Sequence, residues 1–194
     1  MKIVGLTGGI GSGKSTVAKF FSEFDIPIFI ADTEAKKLMN EDTNLKASLT
    51  ELLGKKAYSE GKLNRKYVAG LVFDNKELLS KMNALVHPAV RNHFKKWVRK
   101  QSGPYCIYEA AILFETGGEE ECDATILVTA PKEVRIARIL KRDNTTISEI
   151  EARMANQWSD DEKRKLAHFT IENIDLEDTW KQVRKIHKNL CEIA

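Results

Sequence analysis

The residues from Gly8 to Ser15, Gly-Gly-Ile-Gly-Ser-Gly-Lys-Ser, fit the spacing G-x-x-x-x-G-K-[ST], with an apolar run before them and a helical pattern after them. Backbone N–H groups can converge on phosphate oxygens at a helix start only where side chains do not obstruct the approach. Gly8, Gly9, Gly11 and Gly13 supply that freedom. Five of the chain's eleven glycines fall in its first 13 residues, far more than a plain strand-to-helix turn needs. Lys14 is expected to reach the β- and γ-phosphates of ATP as a point charge, and the Ser15 hydroxyl to ligate the Mg²⁺ that bridges them. Ser12 and Thr16 complete the expected ATP-binding set.

Binding a nucleoside triphosphate does not say what is done with it. A guanine-reading switch needs Asn-Lys-x-Asp, and the segment Asn75-Lys-Glu-Leu78 lacks the Asp. A motor ATPase carries a strand ending in paired acids, whereas here a single Glu109 follows Tyr105–Tyr108. Phosphoryl transfer to a small acceptor needs a carboxylate near the acceptor hydroxyl and cations that close over the phosphates. Asp32 supplies the first, at the expected end of a second strand, where crevice residues of a doubly wound sheet collect; helix capping is its structural alternative. Arg135, Arg138 and Arg142 are spaced i, i+3 and i+7 on one helix face. Five of the nine arginines lie between 135 and 164, near the turn-prone Asp143-Asn-Thr-Thr146, as a closing lid requires. A solvated face paired with Glu133 and Asp143 would also account for them.

The elements that must position these groups follow from periodicity. Lys2–Leu6 reads as a buried parallel strand, and Val17, Phe20, Phe21 and Phe24 as a helix from Ser15 that ends at Asp25 and Pro27. Ile28–Ala31 reads as a second strand. Residues 33–103 are charged and helical with no convincing strand, too long for an ordinary crossover. Leu78 to Val86 mark one amphipathic helix there, and Val90 to Val98 another after Pro88. Strands resume at Tyr105–Tyr108 and Ala124–Val128, a helix follows with Pro131 as its first residue, and Ser148-x-x-Glu151 and Ser159-x-x-Glu162 have the form of capping boxes. A last strand near Phe169–Ile171 leads to a closing helix striped by Leu176, Trp180, Val183, Ile186 and Leu190.

Composition narrows the class. The balance of 31 Lys+Arg against 28 Asp+Glu leaves +3 and no nucleic-acid footprint. The longest uncharged stretch, Ile3–Gly13, spans 11 residues of which five are Gly, so neither a membrane span nor a signal peptide is expected and the chain is placed in the cytoplasm. Cys106, Cys122 and Cys191 form no CxxC pair, and three reduced thiols are expected. Oligomeric state is not encoded in any of these features.

The motifs in their order resemble the dephospho-CoA kinase family across nearly the whole chain. The resemblance rests on Ile3 to Thr16, Leu63-Asn-Arg65, Val72-Phe73, Leu85-Val-His-Pro88, Arg91, Ala110-Ala-Ile-Leu-Phe-Glu115, Lys141-Arg-Asp143 and Gln157. It implies transfer of the ATP γ-phosphoryl group to the ribose 3′-hydroxyl of dephospho-CoA, with Mg²⁺ as cofactor and ATP and dephospho-CoA as partners. The implied fold is α/β: a P-loop NTPase core with a parallel five-stranded sheet flanked by helices, at 1–32, 104–131 and 167–194. A helical acceptor subdomain at 33–103 and a helical lid at 132–166 complete it. Implied catalytic residues are Lys14, Asp32, Arg138 and Arg142, and acceptor-binding ones Asp32, Arg65, His87, Arg91 and Glu109. Ile30 and Glu109 stand where the family usually has Asp, so Asp32 carries the acceptor carboxylate alone, and Glu109 is expected to approach magnesium through water. On the residues alone, another small-acceptor kinase or a non-catalytic ATP-binding regulator would share the phosphate loop.

Overall fold

The computed structural model describes residues 1–73 and 75–193, the last by its backbone only. The chain forms two compact units, Met1–Ile30 with Gln101–Ala194 and Ala31–Lys100.

The first unit is built on five parallel strands, β1 (Lys2–Thr7), β2 (Ile28–Ile30), β5 (Tyr105–Glu109), β6 (Ala124–Thr129) and β7 (Phe169–Glu172), in the order β2-β5-β1-β6-β7. Central β1 is apolar because both of its faces are covered: Val4 and Leu6 are buried with Ile107, Ile126, Val128 and Ile171. On one face α1 (Lys14–Ser22) contributes Val17 and Phe21, and α9 (Leu176–Ile193) contributes Val183, Ile186 and Leu190. Phe24 stacks on Trp180 with ring centroids 5.0 Å apart. The chain leaves β1 for β2 on one side of it and later passes from β5 to β6 on the other, and at such a reversal of strand order the crevice at the carboxyl edge falls where the phosphate loop leaves β1. After β6 come α6 (Lys132–Arg142), α7 (Ile147–Ala155) and α8 (Asp160–Arg164). Among the described residues no helix is long and apolar enough to cross a membrane.

The second unit holds α2 (Ala31–Glu41), α3 (Thr43–Leu53), the short strands β3 (Tyr58–Ser59) and β4 (Lys62–Leu63), α4 (Arg65–Val72) and α5 (Lys76–Val98). Its buried side chains include Leu45, Leu49, Leu53, Val68, Val86, Val90 and Phe94.

Four local expectations change. The stretch expected to lack strands contains the antiparallel β3–β4 hairpin, turned by Glu60 and Gly61 at φ 51° and 78°. Positive φ at both central residues suits the twist of a two-residue hairpin, and strands of two residues carry no alternation to detect. The two helices expected on either side of Pro88 are one helix, α5, with Pro88 inside it. Pro88 lacks the N–H for the carbonyl four residues back, but Val86, Val90 and Phe94 share a buried face and hold the helix through it. Pro131 is the N-cap of α6 rather than its first residue. The capping box of α7 is Thr146 with Glu149, not Ser148 with Glu151. Starting two residues earlier leaves Glu151 to pair with Lys132 at 2.6 Å, whereas Ser159–Glu162 caps α8 as its spacing indicates.

Candidate active site

The phosphate loop, 8–13, turns from β1 into α1, and the protein's own atoms crowd its glycines. A Cβ at Gly8, where φ is +152°, would run into the Val128 carbonyl oxygen of β6. One at Gly13, where φ is +91°, would strike the Asn173 side-chain amide. That close approach seats Asn173 beneath the loop, 1% exposed. Its Nδ2 donates to the Ser12 carbonyl at 2.8 Å, and its Oδ1 accepts from the Thr179 hydroxyl at 3.1 Å. Its backbone N–H donates to the Thr129 carbonyl at 2.8 Å. The hydroxyl of Ser12 is buried with no hydrogen-bond partner among the described residues.

Above the loop lies a cavity of about 330 Å³ whose lining includes Lys14, Ser15, Thr16, Glu109, Arg138 and Arg142. Lys14 Nζ donates to the Gly8 carbonyl at 2.9 Å and stands 3.9 Å from the Glu109 carboxylate. Glu109 ends β5, in register with Leu6 of β1 and Ile30 of β2, so the carboxylate beside Lys14 comes from β5 while Ile30 leaves β2 without one. Ser15 lies exposed in the first turn of α1, where an unpaired N–H end attracts anions. A hydroxyl and a carboxylate in one phosphate-sized cavity are hard oxygen donors of the kind magnesium takes alongside phosphates and water. Among the described residues no three His, Cys, Asp or Glu gather as a metal cage, and the donor set suits an ion held largely by its nucleotide.

The three arginines of α6 do different things. Seven residues of helix separate Arg135 from Arg142 by about 10 Å along the axis, so one face meets different parts of the loop. Arg138 Nη1 donates to the Asn173 carbonyl at 2.9 Å and Nη2 to the Ile174 carbonyl at 3.3 Å, which fixes its guanidinium beside the cavity. Arg142 is exposed and makes a two-pronged pair with Asp143 at 2.8 and 2.9 Å. That pair raises the Arg142 guanidinium and holds the Asp143 carboxyl below its ordinary value. Arg135 leaves the cavity lining altogether and donates from Nε to the Ile10 carbonyl at 2.8 Å.

The remaining expected residues lie in the second unit. The strand stops at Ile30, so Asp32 sits exposed in the first turn of α2 rather than on a strand end. Arg65 opens α4, behind the Asn64 cap, and is exposed. His87 and Arg91 are one turn apart on α5; burial, then the Arg91 charge, pushes the His87 imidazole below its ordinary value. α5 is tied to α2 by His93 Nε2 at 2.9 Å from Glu34.

Sequence periodicity passed over Asn173 and Lys163, because it reads polar residues as surface. Lys163 is 0% exposed, its Nζ 2.9 Å from Glu115 and donating to the Ala111 carbonyl at 3.2 Å. The Glu115 Oε1 also accepts from the Trp158 N–H at 3.0 Å.

The family model described as dephospho-CoA kinase matches residues 2–178. A dephospho-CoA kinase of Salinibacter ruber is 41% identical over 177 residues, covering 89% of each chain. One of Bacteroides fragilis is 38% identical over 174 residues, 88% of this chain and 83% of its own. A crystal structure from Thermus thermophilus superposes with a TM-score of 0.89 at 33% identity, covering 97% of this chain and 96% of that one. Matched over most of its length by the family model and by relatives above 30% identity, this chain belongs to the dephospho-CoA kinase family.

Proposed function

We propose that this chain transfers the γ-phosphoryl group of ATP to the 3′-hydroxyl of the ribose of dephospho-CoA, giving CoA and ADP, the last step of coenzyme A biosynthesis. The observation that carries the proposal is the phosphate-loop cavity, with Lys14, Arg138 and Arg142 around it, in a chain of this family.

Each residue has a physical task. Lys14 now spends its ammonium on the Gly8 carbonyl and on Glu109; anionic triphosphate oxygens outcompete a neutral carbonyl for it, since they add the attraction between opposite charges to the hydrogen bond. Gly8, Gly9, Gly11, Ser12, Gly13 and Thr16 shape the cradle. Arg138, pinned by backbone carbonyls, offers a preorganised cation for charge spreading over the transferred group. Arg142 must exchange Asp143 for phosphate, so it serves the closing of the 132–166 lid. Ser15, with Glu109 through water, would hold Mg²⁺, which supplies charge neutralisation across the β- and γ-phosphates. Asp32 accepts or orients the acceptor's hydroxyl proton, and Arg65, His87 and Arg91 of the 31–100 unit take up the acceptor. Catalysis is chiefly positioning and electrostatics. The cytoplasm, which holds both soluble substrates, is the assigned compartment.

The test is ADP release from Mg·ATP with dephospho-CoA, AMP, a sugar or no acceptor in parallel. Release with dephospho-CoA alone is expected, and Lys14→Ala should abolish it. Equal release with AMP or a sugar would transfer the chain to another acceptor, and no release with any would make it an ATP-binding regulator.

A further inference from the structure

The tip of the phosphate loop is gripped from outside. Ile10 donates its N–H to Gln157 Oε1 at 2.9 Å and accepts at its carbonyl from Arg135 Nε at 2.8 Å. Both peptide groups flanking one residue are therefore held by side chains from elements more than a hundred residues away. Gly9 and Gly11 make the grip possible. A Cβ on Gly9 would collide with the Arg135 guanidinium, and one on Gly11 would lie 2.7 Å from the Arg135 carbonyl and 2.9 Å from Ile139 Cδ1. Two glycines of the motif thus make room for α6 as well as for phosphate.

The gripping residues are themselves fixed. Arg135 Nη1 pairs with Asp160 at 3.3 Å, both side chains largely buried. Gln157 lies in the turn between α7 and α8, and the next residue, Trp158, donates its N–H to Glu115, the partner of fully buried Lys163. The turn is thereby anchored to the segment after β5 on one side and to α6 on the other. Ser12 N–H is also committed inside the loop, to the Gly9 carbonyl at 3.1 Å. A loop left to itself would sample conformations that point its amides away from phosphate, and each such conformation lowers apparent affinity by its population.

We infer that Gln157 is a positioning residue for the nucleotide: by holding the Ile10 N–H against the Arg135 clamp on the Ile10 carbonyl, it keeps the phosphate loop in its anion-receiving shape. The inference rests on the proposed ATP site and adds the residue that preorganises it. Because the grip acts on the loop and not on the acceptor, its loss falls on ATP affinity.

Gln157→Met keeps the volume and removes the acceptor; Gln157→Glu keeps an acceptor oxygen for the Ile10 N–H. Titration with Mg·ATP and steady-state kinetics on both variants are the test. Gln157→Met should raise the Kd and KM for ATP about 3- to 10-fold, the worth of one net hydrogen bond, with kcat and the KM for dephospho-CoA within about twofold. Gln157→Glu should return the ATP constants to within about twofold of wild type. Hydrogen exchange on the unmodified protein needs no variant, and the Ile10 amide should be protected before nucleotide is added. Wild-type ATP affinity in Gln157→Met, equal damage in Met and Glu variants, a loss shared by both KM values and kcat, or an unprotected Ile10 amide would each overturn the inference. Failure of the wild type to bind ATP would instead overturn the functional proposal beneath it.

Discussion

Lys163 is a cation with no exposed surface, and its removal has a calculable cost. Its ammonium lies 2.9 Å from Glu115 Oε1 and bonds the Ala111 carbonyl; Glu115 is only 13% exposed, and its Oε2 is buried with no partner among the described residues. Lys163→Met fills the space but leaves a nearly buried carboxylate with one remaining bond, from the Trp158 N–H. Breaking one side of a buried pair costs about 3–5 kcal/mol, and the small exposure of Glu115 places this variant near the lower end. At about 2–4 °C per kcal/mol for a chain of this size, the melting temperature should fall by about 6–12 °C. Lys163→Met with Glu115→Gln removes the stranded charge while keeping an acceptor for Trp158, and should recover about 2 kcal/mol of that loss. Calorimetry on wild type, both single variants and the double variant measures the coupling. A Lys163→Met loss below about 1 kcal/mol, or a double variant equal to the sum of the singles, would refute the reasoning.

Gly13→Ala forces a side chain onto a positive φ and into the Asn173 amide; about 2 kcal/mol of stability and most ATP binding should go, and an unchanged melting temperature would contradict the packing. Burial holds His87 and His187 below their ordinary values. The unfolded chain therefore takes up protons that the folded protein refuses as pH drops below about 6.5. Stability should be full above that pH and decline toward pH 5, and His87→Gln should flatten the slope in urea unfolding; an unaltered slope would remove His87 from the account. Asp32→Asn should cut kcat about 100-fold or more with ATP affinity intact, and unchanged turnover would leave Asp32 only its place in the first turn of α2.

What could be read from the sequence was local. The glycines, Lys14 and Ser15 are contiguous, and Ser159 and Glu162 carry their cap in four residues. The stripe of Val183, Ile186 and Leu190, with Trp180 stacked on Phe24, needs only helical spacing, whereas Leu176, expected to begin it, is exposed at the first turn of α9. Ser148-x-x-Glu151 has the form of a cap, but the helix starts two residues earlier, where Thr146 and Glu149 close the box and Glu151 is left to pair with Lys132. Pro88 reads as a break, and only the burial of Val86, Val90 and Phe94 on one face explains why α5 continues. The loop's surroundings are invisible locally: Asn173 lies 160 residues beyond Gly13, and Gln157 lies 147 beyond Ile10. Arg135, Arg138 and Arg142 share one face in sequence, yet only the three-dimensional position of the loop separates the brace from the two that line the cavity.

The most direct measurement of the central claim is the mass of the product made from dephospho-CoA and ATP labelled in its γ-phosphoryl group, alongside the 3′-deoxyribose analogue of the acceptor. The account predicts a product heavier by one labelled phosphoryl group from dephospho-CoA and none from the analogue. Labelled product from the 3′-deoxy analogue, or label released only as inorganic phosphate, would contradict it.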